Sequence, residues 1–272
     1  QVYCCFPAPR KSMLFSGIGS ALLAFAPPHR AHAVPGCRSA RGAWTVRMDV
    51  AATIAADSDG WKVLMPELEQ VPVFVCANAA GQPLQYERDG RPLALFYADI
   101  SQAKQELANR RRSYPELELR LLPIGLGSAF TRAGAGAAVI VPSPEELTNA
   151  ADPEAGAPYE AGLPLFACLA LRKPHANREG VQAVPLFMRA ADAQASRDAA
   201  AAGMPPDTQG LELLVIPLPT ALERMVAQPG DDGLVFEIIP PGDSVDFVRQ
   251  FLAAPTPAQA ASVFPDINIF PS

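Results

Sequence analysis

Val71-Pro72-Val73-Phe74-Val75-Cys76-Ala77 is a continuous apolar run, and Leu163-Pro164-Leu165-Phe166-Ala167-Cys168-Leu169 repeats it with Pro, Phe and Cys at the same places, 92 residues on. Working outward, Arg91–Ala103 (RPLALFYADISQA) is answered by Ala183–Gln194 (AVPLFMRAADAQ), and Leu117–Phe130 (LELRLLPIGLGSAF) by Leu211–Leu222 (LELLVIPLPTAL). Aligning Leu95-Phe96 with Leu186-Phe187, Pro123 with Pro217 and Pro142 with Pro240 gives offsets of 91, 94 and 98. Offsets that drift by a few residues, where loops absorb insertions, mark two copies of one supersecondary unit. The shared positions are mostly apolar, so the duplication describes a pseudo-symmetric scaffold before it describes a reaction.

Runs of this kind, four to eight residues long and bounded by turn-forming residues, read as buried strands. Strands are expected at Val71–Ala77, Leu93–Tyr97, Leu117–Leu122 (stopped by Pro123) and Ala137–Val141, with Asn78–Gly90 as a turn-rich connection. Between them, Asp99 or Ser101 caps a helix running to Arg112 with Ile100, Ala103 and Leu107 on one face, and Pro144-Glu145-Glu146 opens another. The second half repeats the order: strands Leu163–Leu171, Val184–Met188, Leu211–Ile216 and Leu234–Ile239, helices Ala190–Ala201, Thr220–Ala227 and Ser244–Leu252. Each unit, about 62–150 and 163–252, is thus strand, strand, helix, strand, short helix, strand, helix. A hairpin followed by crossover helices builds a mixed sheet with helices against it, an α+β fold with pseudo-twofold symmetry. Ahead of the first unit, Trp61, Leu64 and Leu68 form a helical stripe; Ala150–Gly162 is a linker, and a proline-rich tail occupies 253–272.

Charge is divided between leader and body. Residues 1–50 hold six basic side chains and one acid, whereas the remainder holds 16 basic and 27 acidic, a net charge of 16 − 27 = −11. An acidic body disfavours nucleic acid as a partner and suits a basic or amphipathic polypeptide. Residues 1–56 read as a targeting leader: Arg10-Lys11, an apolar run from Met13 to Ala26, and Ala31-His32-Ala33 form a secretory pattern, and Val34–Met48, rich in Arg, Ser, Gly and Ala without acids, is transit-like. The apolar run is too short to span a bilayer.

Sites for chemistry are sparse after the leader. His175 is the one histidine there, and Cys76 and Cys168 the two cysteines, so a metal centre lacks ligands and no cofactor is expected. The cysteines sit at equivalent places on buried strands and read as small core residues, with a disulfide between them as the alternative. No G-x-S-x-G elbow is present, and Gly125-Leu126-Gly127 and Gly134-Ala135-Gly136 complete no phosphate-binding motif. Arg110-Arg111-Arg112, the basic cluster of the body, reads as a solvated helix end or as a docking point for anionic head groups.

The order Val71-Pro72-Val73-Phe74, Asn78, Gly81, Pro83-Leu84, Pro92-Leu93, Leu95-Phe96 and, in the repeat, Val184-Pro185-Leu186-Phe187 resembles the Tic22 family of plastid import factors, from about Lys62 to Leu252. The resemblance implies a cofactor-free, non-enzymatic molecule, soluble or peripheral in the intermembrane space of the plastid envelope. There it would bind preproteins and their transit peptides and pass them between outer and inner translocon subunits. Val71, Pro72, Phe74, Leu95, Phe96, Leu163, Pro164, Phe166, Leu186 and Phe187 are the candidate core and groove positions. The rival expectation is a small-molecule enzyme of unrecognised type with its cleft between the two repeats.

Overall fold

A computed structural model describes residues 58–88, 90–151, 158–202, 211–227 and 235–253; the leader and the tail beyond Ala253 lie outside them. Ser58 caps helix α1 (Asp59–Leu68), its side chain accepting from the Trp61 N–H at 3.2 Å, and the helix buries Trp61, Leu64 and Leu68. The first unit then runs β1 (Pro72–Ala77), β2 (Gln85–Arg88), β3 (Arg91–Tyr97), α2 (Ile100–Ser113), β4 (Arg120–Gly125), α3 (Leu126–Gly134), β5 (Ala138–Val141) and α4 (Pro144–Ala150). The second runs β6 (Pro164–Ala167), β7 (Lys173–Pro174), β8 (Gln182–Phe187), α5 (Ala190–Ala202), β9 (Leu214–Pro217), α6 (Leu218–Ala227), β10 (Val235–Ile239) and α7 (Gly242–Ala253). The order of elements is the same in both.

Pairing is the same as well. In the first sheet β1 lies between β4 and β3, antiparallel to both, while β2 (antiparallel) and β5 (parallel) divide the far edge of β3. In the second, β6 lies between β9 and β8, and β7 and β10 divide the far edge of β8 in the same senses. The fold is therefore α+β with two mixed five-stranded sheets.

Hydrogen-bond register corrects two of the sequence alignments. Phe74 faces Tyr97 and Phe166 faces Phe187, so Tyr97 corresponds to Phe187 and Phe96 to Leu186, an offset of 90 rather than 91. A slip of one residue moves every side chain to the opposite face of a strand. On the other side Phe74 faces Pro123 whereas Phe166 faces Val215, and Pro164 faces Pro217 where Pro72 faces Gly125. The offset of 92 thus persists through β4 and β9, and Pro123 and Pro217 are not equivalents. Matching Leu126 N–H to the Val71 carbonyl and Leu218 N–H to the Leu163 carbonyl, both 2.8 Å, fixes the same spacing.

Two further expectations change. Pro123 lies inside β4 instead of ending a strand, because β4 is an edge strand where a missing N–H need not break a ladder. Gln85–Arg88, expected as part of a turn-rich connection, pairs with Arg91–Ala94 as β2, a short polar strand that apolar patterning cannot reveal.

Alternation along the strands divides the core. Val73, Val75, Leu165 and Ala167 point into one central cluster that also takes Trp61, Leu64, Phe96, Leu126, Phe130, Leu186, Leu218 and Leu222 from helices and strands of both units. Phe74, Cys76 and Tyr97 point to the opposite face of the first sheet and meet Ile100, Ala103 and Val248, with Phe247 edge-on to Phe74 at 5.4 Å. Phe166 and Phe187 on the second sheet meet Ala190 and Ala193, with Ala150 packed against them. Because Phe247 and Val248 belong to α7 and Ala150 to α4, each unit sends its last helix to the outer face of the other unit's sheet. The two repeats are interlocked.

Candidate binding surface

None of the ten candidate positions lines an open groove. Val71, Phe96, Leu163 and Leu186 are buried in the central cluster, and Phe74, Phe166 and Phe187 are buried beneath the outer helices. Pro72 and Pro164 are buried at the starts of β1 and β6, and Leu95 is half-buried beside Phe74's cluster.

The two sheets differ in the exposure of one edge strand. Leu119, Leu121, Leu122 and Ile124 of the first unit are 2, 6, 6 and 2% exposed, whereas their register equivalents Leu211, Leu213, Leu214 and Ile216 are only half-buried. Val215, where the first unit has the buried Pro123, is 37% exposed. Residue size in the covering helix contributes to this: α5 reads AADAQASRDAAAA, and its short side chains overlie less of the sheet than α2, whose Leu107 packs beneath it. Among the described residues β9 pairs with β6 alone, as β4 pairs with β1 alone, so both strands keep an unpaired edge, but only β9 carries half-exposed apolar side chains beside it.

A small cleft of about 130 Å3 lies between the end of α1 and the second unit, lined by Glu67, Gln70, His175, Asn177, Met225 and Glu237 among others. Most of its polar groups engage one another, while the buried His175 Nε2 makes no hydrogen bond. Asn177 N–H donates to His175 Nδ1 at 3.1 Å, which places the neutral ring's proton on Nε2, 3.7 Å from Glu67 Oε2. Arg178 grips Glu67 Oε1 through Nε and a terminal nitrogen at 3.0 and 2.6 Å, Asn177 donates to Gln70 at 3.2 Å, and Lys173 pairs with Glu237 at 2.8 Å. The loop carrying the sequence's lone body histidine is thereby a clasp between the second unit and α1.

The glycines of the Gly125-Leu126-Gly127 stretch make room for a carboxylate, not for a phosphate. Helix α3 has Gly125 as its cap and no capping side chain of its own; instead Glu69 Oε1 accepts from Ser128 N–H at 2.6 Å. A Cβ on Gly125 would lie 2.1 Å from Glu69 Oε2, and one on Gly127 2.9 Å from Oε1. In the second unit the place of Gly127 is taken by Pro219, which has no N–H to satisfy at a helix start. No spacing in the sequence announces this cap, because Glu69 and Ser128 meet only through the packing of α1 on α3.

The arginine cluster is divided by its geometry. Arg110 pairs with Glu106 and lies over the Tyr86 ring at 4.9 Å, Arg111 donates twice to the Leu119 carbonyl, and Arg112 stays near the surface bonded to Asn109. Beneath them Tyr86 O–H donates to Glu106 at 3.1 Å. Burial, reinforced by the Glu106 charge, pushes the Cys76 thiol up to about 12, and burial likewise raises Tyr86 and Tyr97 above the ordinary tyrosine range. Cys76 and Cys168 are both free thiols, buried and unbridged. A thiol held protonated is a poor nucleophile.

Where the units meet, Arg189 donates to Asp99 at 3.0 Å and to Asp243 at 2.9 Å, and Ala190 N–H, at the start of α5, donates to Glu146 of α4 at 2.9 Å. Asp99 and Arg189 occupy equivalent positions, 90 residues apart, so opposite charges face each other across the pseudo-axis. Burial raises the Glu146 carboxyl above its ordinary value, with the Ala190 N–H opposing. No group of three or more metal-ligating side chains occurs among the described residues, and no helix there is long and apolar enough to cross a membrane.

Two interlocked units of the same topology around a shared apolar core, with a half-buried apolar strand at one sheet edge, define the class as a duplicated α+β fold. Its fold is that of Tic22. The solved structure of Tic22 from Plasmodium falciparum superposes with a TM-score of 0.57 over 71% of this chain and 99% of that one, at 14% identity. Anabaena Tic22, a protein-transport protein, gives 0.54 over 72% and 98%, at 18% identity. No protein-family model and no curated protein matches the chain.

Proposed function

We propose that this chain is a non-enzymatic, chaperone-like factor of plastid protein import. It binds preproteins in the envelope intermembrane space, soluble or peripheral to the membrane, and hands them from outer to inner translocon. The Tic22-like fold supports the protein-transport role, and the observation that carries the binding reading is the half-open strand β9. An edge strand unpaired on one side among the described residues, with exposed Val215, suits an extended client segment, which adds main-chain bonds along the edge while apolar side chains cover the strand. Client handling requires release, so affinity in the micromolar range is expected, about −8 kcal/mol.

Titration of a fluorescent transit peptide into the protein tests this, with Val215→Asp as the paired variant. Saturable micromolar binding that survives EDTA and weakens at least fivefold in Val215→Asp is expected. Absence of binding, or conversion of the peptide into fragments, overturns the reading.

A further inference from the structure

The two exchanged helices differ in what they do at the helix starts beside them. Asp99 caps α2 from its own sequence position, its side chain accepting from Gln102 N–H at 2.8 Å. Arg189 stands at the equivalent place before α5, and a guanidinium has donors only, so it cannot satisfy the free N–H groups of that first turn. The acceptor comes instead from the other unit, where Glu146 of α4 takes the Ala190 N–H at 2.9 Å. Tyr97 facing Val141 and Phe187 facing Ile239 make Val141 and Ile239 equivalent, which sets Glu146 against Ser244 of α7. Ser244 is fully buried and its Oγ makes no hydrogen bond, so α2 is capped within its own unit and α5 across the units.

The two helices also cover their sheets unequally. Helix α7 runs twelve residues, buries Val248, and lays Phe247 edge-on to Phe74 and stacked beside Phe251. Helix α4 runs seven, and its one buried residue is Glu146; Ala150 is what it packs against the Phe166–Phe187 cluster. Two turns of helix do not persist alone in water, so α4 depends on the Ser143 side chain accepting from Glu146 N–H at 3.1 Å and on the bond from Glu146 to α5.

We propose that α4 is a releasable strap over the outer face of the second sheet, latched by the Glu146 carboxylate on the Ala190 N–H. When the latch opens, α4 lifts, the first turn of α5 frays with it, and Phe166 and Phe187 are uncovered. The two move together because a buried N–H stripped of its acceptor is costly until water reaches it. Arg189, held by Asp99 at 3.0 Å and Asp243 at 2.9 Å, anchors the chain just before α5 and confines the opening to the second sheet, leaving α2 and α7 closed on the first. The strap stands independently of the client reading.

Hydrogen exchange followed amide by amide by NMR on the full chain tests this. The reporters are Leu147, bonded to the Ser143 carbonyl, Ala190, and Ala193, bonded to the Arg189 carbonyl; the references are Ala103, the equivalent of Ala193 in α2, and Val248 in α7. The three reporters should share one protection, at least about tenfold below that of Ala103 and Val248, because they open in one local event. Glu146→Ala should lower all three by a further factor of about five and leave both references unchanged, whereas Glu146→Gln, whose amide oxygen still accepts, should keep most of the protection. Protection of Leu147 equal to that of Val248 overturns the strap. A Glu146→Ala protein in which Ala190 exchanges faster and Leu147 does not leaves a cap without a strap, and equal loss in Glu146→Gln and Glu146→Ala removes the hydrogen bond as the latch; either result overturns the proposal.

Discussion

Raising the pH should unfold this protein through groups that the fold keeps protonated. Cys76 has its pKa raised from 9.0 to about 12 by burial beside Glu106, and Tyr97, 4% exposed, is raised from 10.0 mainly by burial. An acid whose folded pKa is raised keeps its proton after the unfolded chain has lost its own, so the native state binds more protons and stability falls as pH rises through the window. At about 1.4 kcal/mol per pH unit, the thiol alone costs roughly 3 kcal/mol by pH 11, a large part of a typical stability of about 5–15 kcal/mol, and Tyr86 and Tyr97 add to the loss in the same direction. Urea unfolding followed by circular dichroism, in reducing buffer at pH 8, 9.5, 10.5 and 11, measures the slope. Cys76→Ala should start about 1 kcal/mol less stable at pH 8. It should then lose about 1.4 kcal/mol per unit less between pH 10 and 11, so that the curves cross. Parallel curves for the two proteins would refute the reasoning, because the thiol would then titrate alike in both states.

Truncating Phe74 or Phe166, 0 and 3% exposed, to Ala should each cost about 3–5 kcal/mol in a denaturant titration; losses under about 1 kcal/mol at both would contradict their packing beneath the exchanged helices. Gly125→Ala should lose about 2–4 kcal/mol, since the new Cβ meets the Glu69 carboxylate at 2.1 Å and displaces the cap of α3; an unchanged unfolding midpoint would mean that Glu69 does not hold that place.

The repeated Pro-Phe-Cys runs pointed by themselves to two copies of one unit and to the α+β class, because apolar periodicity is written locally and needs no knowledge of neighbours, though strand ends moved: Leu117–Leu122 became Arg120–Gly125, Leu163–Leu171 Pro164–Ala167 and Leu211–Ile216 Leu214–Pro217. Register was not legible to within a residue: Leu95-Phe96 resembles Leu186-Phe187 by side-chain type, but only the ladder to β1 and β6 shows that Phe96 matches Leu186. Polar strands escape patterning altogether, as β2 did. The cap from Glu69 to Ser128, 59 residues apart, and the clasp from Arg178 to Glu67, 111 apart, exist because helices are brought together in space. The exchange of α4 and α7 between sheets was equally hidden, since an amphipathic helix records that it covers an apolar face and not whose face it covers. Most consequential for function, two segments of similar sequence, LRLLPI at 119–124 and LELLVI at 211–216, differ in side-chain exposure through what packs over them, so the apolar residues of one are buried and those of the other half-buried.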